Sequence, residues 1–313
     1  MHFRQRVPGL GLAGVILVGV ILVGLLGCFW VSTASASEPY TESFQGTRAL
    51  GMGGGIRAAA TGGTGPLQNP SGMCLMQSYN VEADYFFARL RSGHLFHASI
   101  VDSTSGYRLA GGLYCTYHFD NPSQPPAARG HEAGLALGLP FGDHVSVGGT
   151  AKYFHLTGFE SAADGSTGGV TFDAGVTVRP LVGLSFGAVA TNLRKLGLGT
   201  APLAIGYGAA VALGTEVMFV VDGLTNLTRE DPLPRKGTRL SAGAEVTLDK
   251  TVALRAGGGY DGITQNGFFT AGLAAISEAG SLDFGLRQDA FRNGTAARET
   301  VFGASFRLFV PQP

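Results

Sequence analysis

The sequence predicts an all-β protein: a closed antiparallel transmembrane β-barrel of about fourteen strands, preceded by a short N-terminal plug segment. Three observations carry that expectation. The 313 residues include 50 glycines, against a usual share of about 7%. Charged residues are only 14% of the chain, 22 basic and 22 acidic, where soluble domains carry roughly 25%. From residue 81 onward, short stretches of alternating apolar and polar residues repeat, and long links alternate with short ones between them.

Composition also closes other routes. A net charge of zero leaves no basic face, so no nucleic-acid partner is expected. The glycines sit among apolar and small polar residues, not with Pro, Gln and Lys, which argues against disorder and collagen. Apart from one N-terminal stretch, the apolar runs are too short for a helical membrane protein. A soluble β-protein and an outer-membrane barrel remain.

Residues 1–36 read as an export signal. Arg4 and Arg6 precede a charge-free run from Val7 to Ser37, and Val15 to Leu26 is aliphatic apart from Gly19 and Gly24. Ala34-Ser35-Ala36 places small residues where a signal peptidase reads, so cleavage is expected after Ala36. Two other readings stay open: an uncleaved anchor, because the run is long, and lipidation of Cys28 in Leu25-Leu26-Gly27-Cys28. Each sends the chain out of the cytoplasm. The remaining thiols, Cys74 and Cys115, are too few for a disulfide framework; one bridge and two free thiols are both open.

Residues 37–80 are rich in Gly, Ala and Thr and show no sustained alternation. They form the plug or hatch segment of the predicted architecture, with residues 81–313 as the barrel. Gly51, Gly53 and Gly54 beside Met52 permit positive φ and close backbone approach. Pro70, followed by Ser71 and Gly72, biases Asn69 away from helix, and Asn69 can then bond its own backbone as an Asx-type turn. The motif reads either as a turn before the first strand or as a plug element whose movement opens the lumen.

Strands are expected near 81–90, 94–102, 107–119, 131–140, 144–156, 169–179, 182–192, 203–213, 215–223, 238–248, 251–260, 267–277, 280–289 and 298–310. They are longer than the usual five or six residues of soluble strands and match tilted membrane-crossing ones. Side chains alternate along a strand. In 238–248, Leu240, Ala242, Ala244, Val246 and Leu248 therefore share one face, opposite Arg239, Ser241, Gly243, Glu245 and Thr247. In 169–179, Val170, Phe172, Ala174, Val176 and Val178 oppose Thr171, Asp173, Gly175, Thr177 and Arg179. A sandwich would pack the apolar face inward, whereas a membrane barrel turns it toward lipid.

The links favour the barrel. They are long near 120–130, 157–168, 193–202, 224–237, 261–266 and 290–297, and short at 103–106, 141–143, 180–181, around 214, 249–250 and 278–279, with the link at 91–93 as the one exception to the alternation. Outer-membrane barrels have short periplasmic turns and longer outer loops. Closure follows from energetics: an unpaired backbone group in lipid costs several kcal/mol, so no sheet edge can stay open.

On this reading Lys152, Asp173, Arg179, Arg239, Glu245, Arg255, Asp283, Arg287 and Arg307 all line the lumen. They form either a paired network that holds barrel and plug together or a polar track past which a solute moves. Both signs are present, which does not favour simple ion selectivity.

Arg48-Ala49-Leu50-Gly51-Met52-Gly53-Gly54-Gly55, followed by Gln68-Asn69-Pro70-Ser71-Gly72-Met73, resembles the N-terminal plug signature of the FadL-like outer-membrane barrels. Ala190-Thr191-Asn192-Leu193, and Leu240 to Glu245 leading into Leu254 to Tyr260, are similar to motifs of the PorV/PorQ branch of that family. The chain departs from the pattern in three ways. Ala58 to Gly65 lacks the usual acidic residues, Ser71 replaces the usual Ala, and Phe309 is followed by Val310-Pro311-Gln312-Pro313 rather than closing the chain. The chain is also shorter than the fatty-acid transporters, with reduced outer loops. The resemblance implies an outer-membrane protein of a two-membrane bacterium that passes small hydrophobic, fatty-acid-like solutes. Its alternative is a PorV-like barrel that binds or hands on secreted proteins. Outer-membrane lipid and a hydrophobic small molecule or secreted proteins are the partners implied.

No catalytic centre is expected. Gly183-Leu184-Ser185-Phe186-Gly187 matches G-x-S-x-G but lies in a predicted strand with no helix after it, so the nucleophile elbow is missing. His94 and His97 face opposite sides of one strand and make a poor metal pair. No metal or cofactor is expected, and neither glycine run has the context of a phosphate loop.

Overall fold

In the computed structural model the described residues are 45–310, apart from 91, 105–108, 122–128, 158–165, 197–200, 228–236, 263–264 and 293–297. The expected export signal, residues 1–36 with Cys28, lies outside them.

Alternation carries the chain through fourteen strands: β1 (Tyr79–Ala88), β2 (Gly93–Asp102), β3 (Ala110–Phe119), β4 (Arg129–Phe141), β5 (Val145–Thr157), β6 (Ser166–Leu181), β7 (Leu184–Thr191), β8 (Ala204–Leu213), β9 (Val217–Asn226), β10 (Gly237–Leu248), β11 (Val252–Asp261), β12 (Asn266–Ile276), β13 (Gly280–Arg292) and β14 (Thr300–Phe309). Each pairs antiparallel with its sequence neighbours, and β1 pairs with β14, so the sheet closes. The closing seam places Glu82 opposite Arg307, and their side chains form a two-pronged ion pair at 2.8 and 3.0 Å.

The two faces differ as lipid and lumen require. Outward Leu113, Leu135 and Leu240 are 57%, 50% and 54% exposed, while inward Ser241 and Asp283 are 9% and 1% exposed. β6 runs further than the expected 169–179, and its pairing with β7 becomes irregular between Val178 and Leu181. Pro180 lies in that interval and has no amide hydrogen to give to the ladder.

Links depart from strict alternation in three places, the first being the link after β1, which is only 89–92. The link after β2, expected at 103–106, spans 103–109; in it the Ser103 hydroxyl donates to the Met76 carbonyl at 2.7 Å where the chain enters β1. The link after β11, expected long, is only 262–265, with Gln265 at a positive φ of 57°. On the short-link side Asp249 and Lys250 both take positive φ, the geometry of a tight type I′ hairpin turn.

Residues 45–76 are not strands. They form α1 (Thr47–Gly51), a 3₁₀ turn (Gly62–Thr64), α2 (Gly65–Gln68) and a second 3₁₀ turn (Pro70–Leu75). α1 packs against β11 to β14, and the second turn packs against β3 to β6. Those strands lie on opposite arcs of the ring, so the segment crosses the lumen. Its apolar residues Ala49, Met52, Ile56, Ala58 and Ala59 form a buried cluster with Ala210 and Val220 of the wall.

Glycine makes this close approach feasible. A Cβ at inward-facing Gly243 or Gly257 would come within 3 Å of the main chain at Met52 or Gly53. One at Gly148 or Gly187 would meet Pro70 or Arg57 in the same way. The high glycine content thus has a packing cause that composition alone does not reveal.

Candidate functional site: the lumen and its inserted segment

The two halves of the glycine–asparagine motif are held to opposite walls. After α1 the chain reverses through Gly53 and Gly54, at φ 89° and 88°. The Gly53 amide donates to Thr270 Oγ1 at 2.9 Å, and that hydroxyl donates to the Gly51 carbonyl at 3.1 Å. Met52, at the reversal, is fully buried.

In the second half Asn69 is extended, with Pro70 at the first position of the following turn. Its Oδ1 accepts from the Ser71 amide at 3.3 Å and from the Ser71 hydroxyl at 2.6 Å. Its Nδ2 donates to the Arg57 carbonyl at 3.0 Å and to Thr177 Oγ1 on β6 at 3.1 Å. The Ser71 and Thr177 hydroxyls are 2.7 Å apart, which gives Ser71 a bond to the wall. At Gly72 a Cβ would collide with the Ala60 carbonyl.

The nine charged residues placed on lumen faces by alternation all lie on inward positions, and eight are ion-paired. Lys152 pairs with Asp173 at 2.9 Å, Arg239 with Asp261 at 2.6 Å, and Arg287 with Asp289 at 3.4 Å. Arg255 bridges Glu245 and Asp283, each at 2.6 Å, and Arg307 holds Glu82. Arg179 donates to the Leu75 carbonyl at 3.3 Å. Glu82, Asp84, Glu132, Asp222 and Arg57 were not named from the sequence, and Arg48 was named only as part of the motif. Glu82 and Asp84 share the inward parity of β1, a signal that could have found them. Arg48 and Arg57 lie in the inserted segment, where strand parity says nothing. Arg48 reaches Glu245 at 2.7 Å, Arg57 pairs with Asp222 on β9, and the Thr47 hydroxyl donates to Asp84 at 2.8 Å.

The two thiols are both free. Cys74 faces inward toward Gly138, whereas Cys115 is exposed on the outer face of β3, so the wall lies between them. Burial pushes the Cys74 thiol above its ordinary pKa, against the opposing charge of Arg179.

Histidines and the serine motif have structural partners. His94 faces outward and meets the Tyr85 hydroxyl at 2.7 Å, while His97 faces inward and meets Thr116 Oγ1 at 2.8 Å. The Ser185 hydroxyl donates to the Ala58 carbonyl at 2.7 Å. Among the described residues no cluster of His, Cys, Asp or Glu is arranged to hold a metal.

Two cavities flank the segment. On the short-link side a cavity of about 420 Å³ is bordered by Arg48, Ala59 and Thr61 of the segment, and by Leu184, Glu245 and Arg255 of the wall. On the long-link side a cavity of about 120 Å³ is bordered by Gln45, Arg57 and Leu67, with Lys152, Phe154 and Asn226.

Solved structures share this architecture. The CymD monoaromatic hydrocarbon channel superimposes with a TM-score of 0.66 at 14% identity, over 88% of this chain and 100% of that one. The Ralstonia pickettii toluene transporter TbuX gives 0.62 at 13%, over 86% and 98%. The P. putida toluene transporter TodX gives 0.60 at 13%, over 86% and 99%. The fold is that of the FadL-like outer-membrane channels. The finer placement in the PorV/PorQ branch rests on the sequence motifs alone. By sequence, no family model and no curated protein matches the chain.

Proposed function

We propose that this barrel passes small hydrophobic solutes across the outer membrane, with residues 45–76 acting as the plug of its lumen. The observation that carries the reading is a closed barrel crossed by its own N-terminal segment, with a cavity on either side of it. The outward belt of Leu, Phe and Val suits lipid, and short turns on one side suit the periplasmic end. Solved channels of the same fold are described as toluene transporters and a monoaromatic hydrocarbon channel, which supports an apolar solute over an ion.

The test is entry of labelled toluene into liposomes carrying the protein. Entry faster than into protein-free liposomes is expected, and equal rates would sink the reading. Exported proteins recovered on a barrel that passes no solute would favour the hand-on role instead.

A further inference from the structure

The smaller, long-link-side cavity is bordered by Gln45, Arg57, Asn192 and Asn226, each more than nine-tenths buried. Several of their polar atoms have no hydrogen-bond partner among the described residues: Gln45 Oε1, Arg57 Nε, Asn192 Oδ1, and both Nδ2 and Oδ1 of Asn226. Other atoms of the same side chains are engaged. Arg57 Nη1 holds Asp222, and Asn192 Nδ2 donates to the Pro202 carbonyl at 2.8 Å. An unpaired buried polar atom is costly, so such a concentration around one cavity is stable when a further molecule completes it. The remaining border includes Leu67, Phe154, Leu156 and Leu224.

We propose that this cavity is a binding site for a small neutral molecule with a compact apolar body and a hydroxyl head. The free groups are mixed: Arg57 Nε and Asn226 Nδ2 donate, while Gln45 Oε1, Asn192 Oδ1 and Asn226 Oδ1 accept. A hydroxyl does both. A carboxylate would face three acceptors and the Glu132 carboxylate, and an ammonium, which only donates, would leave Arg57 Nε and Asn226 Nδ2 unpaired. Both cations at the border are already neutralised, Arg57 by Asp222 and Lys152 by Asp173. A cavity of about 120 Å³ is close to the roughly 150 Å³ that accepts a single benzene ring. A site built to bond a hydroxyl rejects the analogue that lacks it, because its own polar groups then stay unpaired.

The site goes beyond the passage reading, since binding here needs no flux. The experiment is calorimetric titration of the purified full-length protein in detergent with p-cresol and with toluene, which differ by one hydroxyl, after subtraction of detergent-only titrations. At least about a tenfold preference for p-cresol is expected. Asn226→Leu and, separately, Gln45→Leu are expected to cut it to under about threefold while the unboiled barrel keeps its heat-modifiable migration. Should Asn226→Leu fail to assemble, Gln45→Leu decides, because the Gln45 side-chain carbonyl bonds nothing among the described residues. Equal affinities, no p-cresol binding, or a preference unmoved by either variant overturns the site. Loss of toluene flux with the p-cresol preference intact would sink the passage reading and leave this one standing.

Discussion

Arg57 and Asp222 form an ion pair with each partner about 5% exposed or less, one from the inserted segment and one from β9. Removing a single partner strands the other charge in a buried site, at a cost of about 3–5 kcal/mol. Arg57→Ala should therefore lower the urea midpoint of the folded barrel, and Arg57→Met with Asp222→Leu should recover most of the loss; equal losses in both would mean that the pair is not the tether. Glycine separates space from conformation. Gly54→Ala finds no atom within 4 Å but must hold φ at 88°, so it should cost about 1–2 kcal/mol from backbone strain alone. Gly243→Val instead drives a side chain into the main chain at Met52. Hydrogen exchange should then rise at residues 52–54 while the barrel still forms. At this scale the wall was legible and the segment was not. Lys152, Asp173 and Glu245 follow from strand parity, but their neighbours Arg48 and Arg57 sit in a short helix and a turn whose facing depends on the finished barrel. The glycines were visible as composition; the main chain they admit was not.

Each strand is legible because lipid and lumen impose opposite demands on alternate residues. Leu135, at the middle of β4, is half exposed, while the next residue, Ala136, is fully buried. Leu135→Arg should cost about 2–4 kcal/mol near the bilayer midplane. Thr247→Asp, on the inward face of β10 beside the larger cavity and near Arg48 and Arg255, should assemble normally. The folded fraction of each in lipid, read from heat-modifiable migration, checks both, and equal tolerance would reverse the assignment of faces. Strand ends were less legible. Their limits depend on contacts outside the strand, as where Ser103 ties the link after β2 to Met76, or on a single residue such as Gln265, which takes a positive φ just before β12.

For the whole molecule, passage requires that the segment between the two cavities give way. It is held at separated points: Arg48 to Glu245 on β10, Arg57 to Asp222 on β9, and Asn69 to Thr177 on β6. None of the three segment residues belongs to the strand ladder, so replacing them loosens the segment without removing a wall hydrogen bond. The wall keeps its own internal pairs, including Arg255 with Asp283 and Arg307 with Glu82. A variant carrying Arg48→Ala, Arg57→Ala and Asn69→Ala should therefore retain a heat-modifiable barrel and expose residues 45–76 to protease. Liposome swelling in arabinose, a solute too polar for an apolar route, should be slow with the intact protein and several-fold faster with the variant. If protease reaches the segment and swelling does not rise, the lumen is not the path, and solutes would have to leave the barrel through its side.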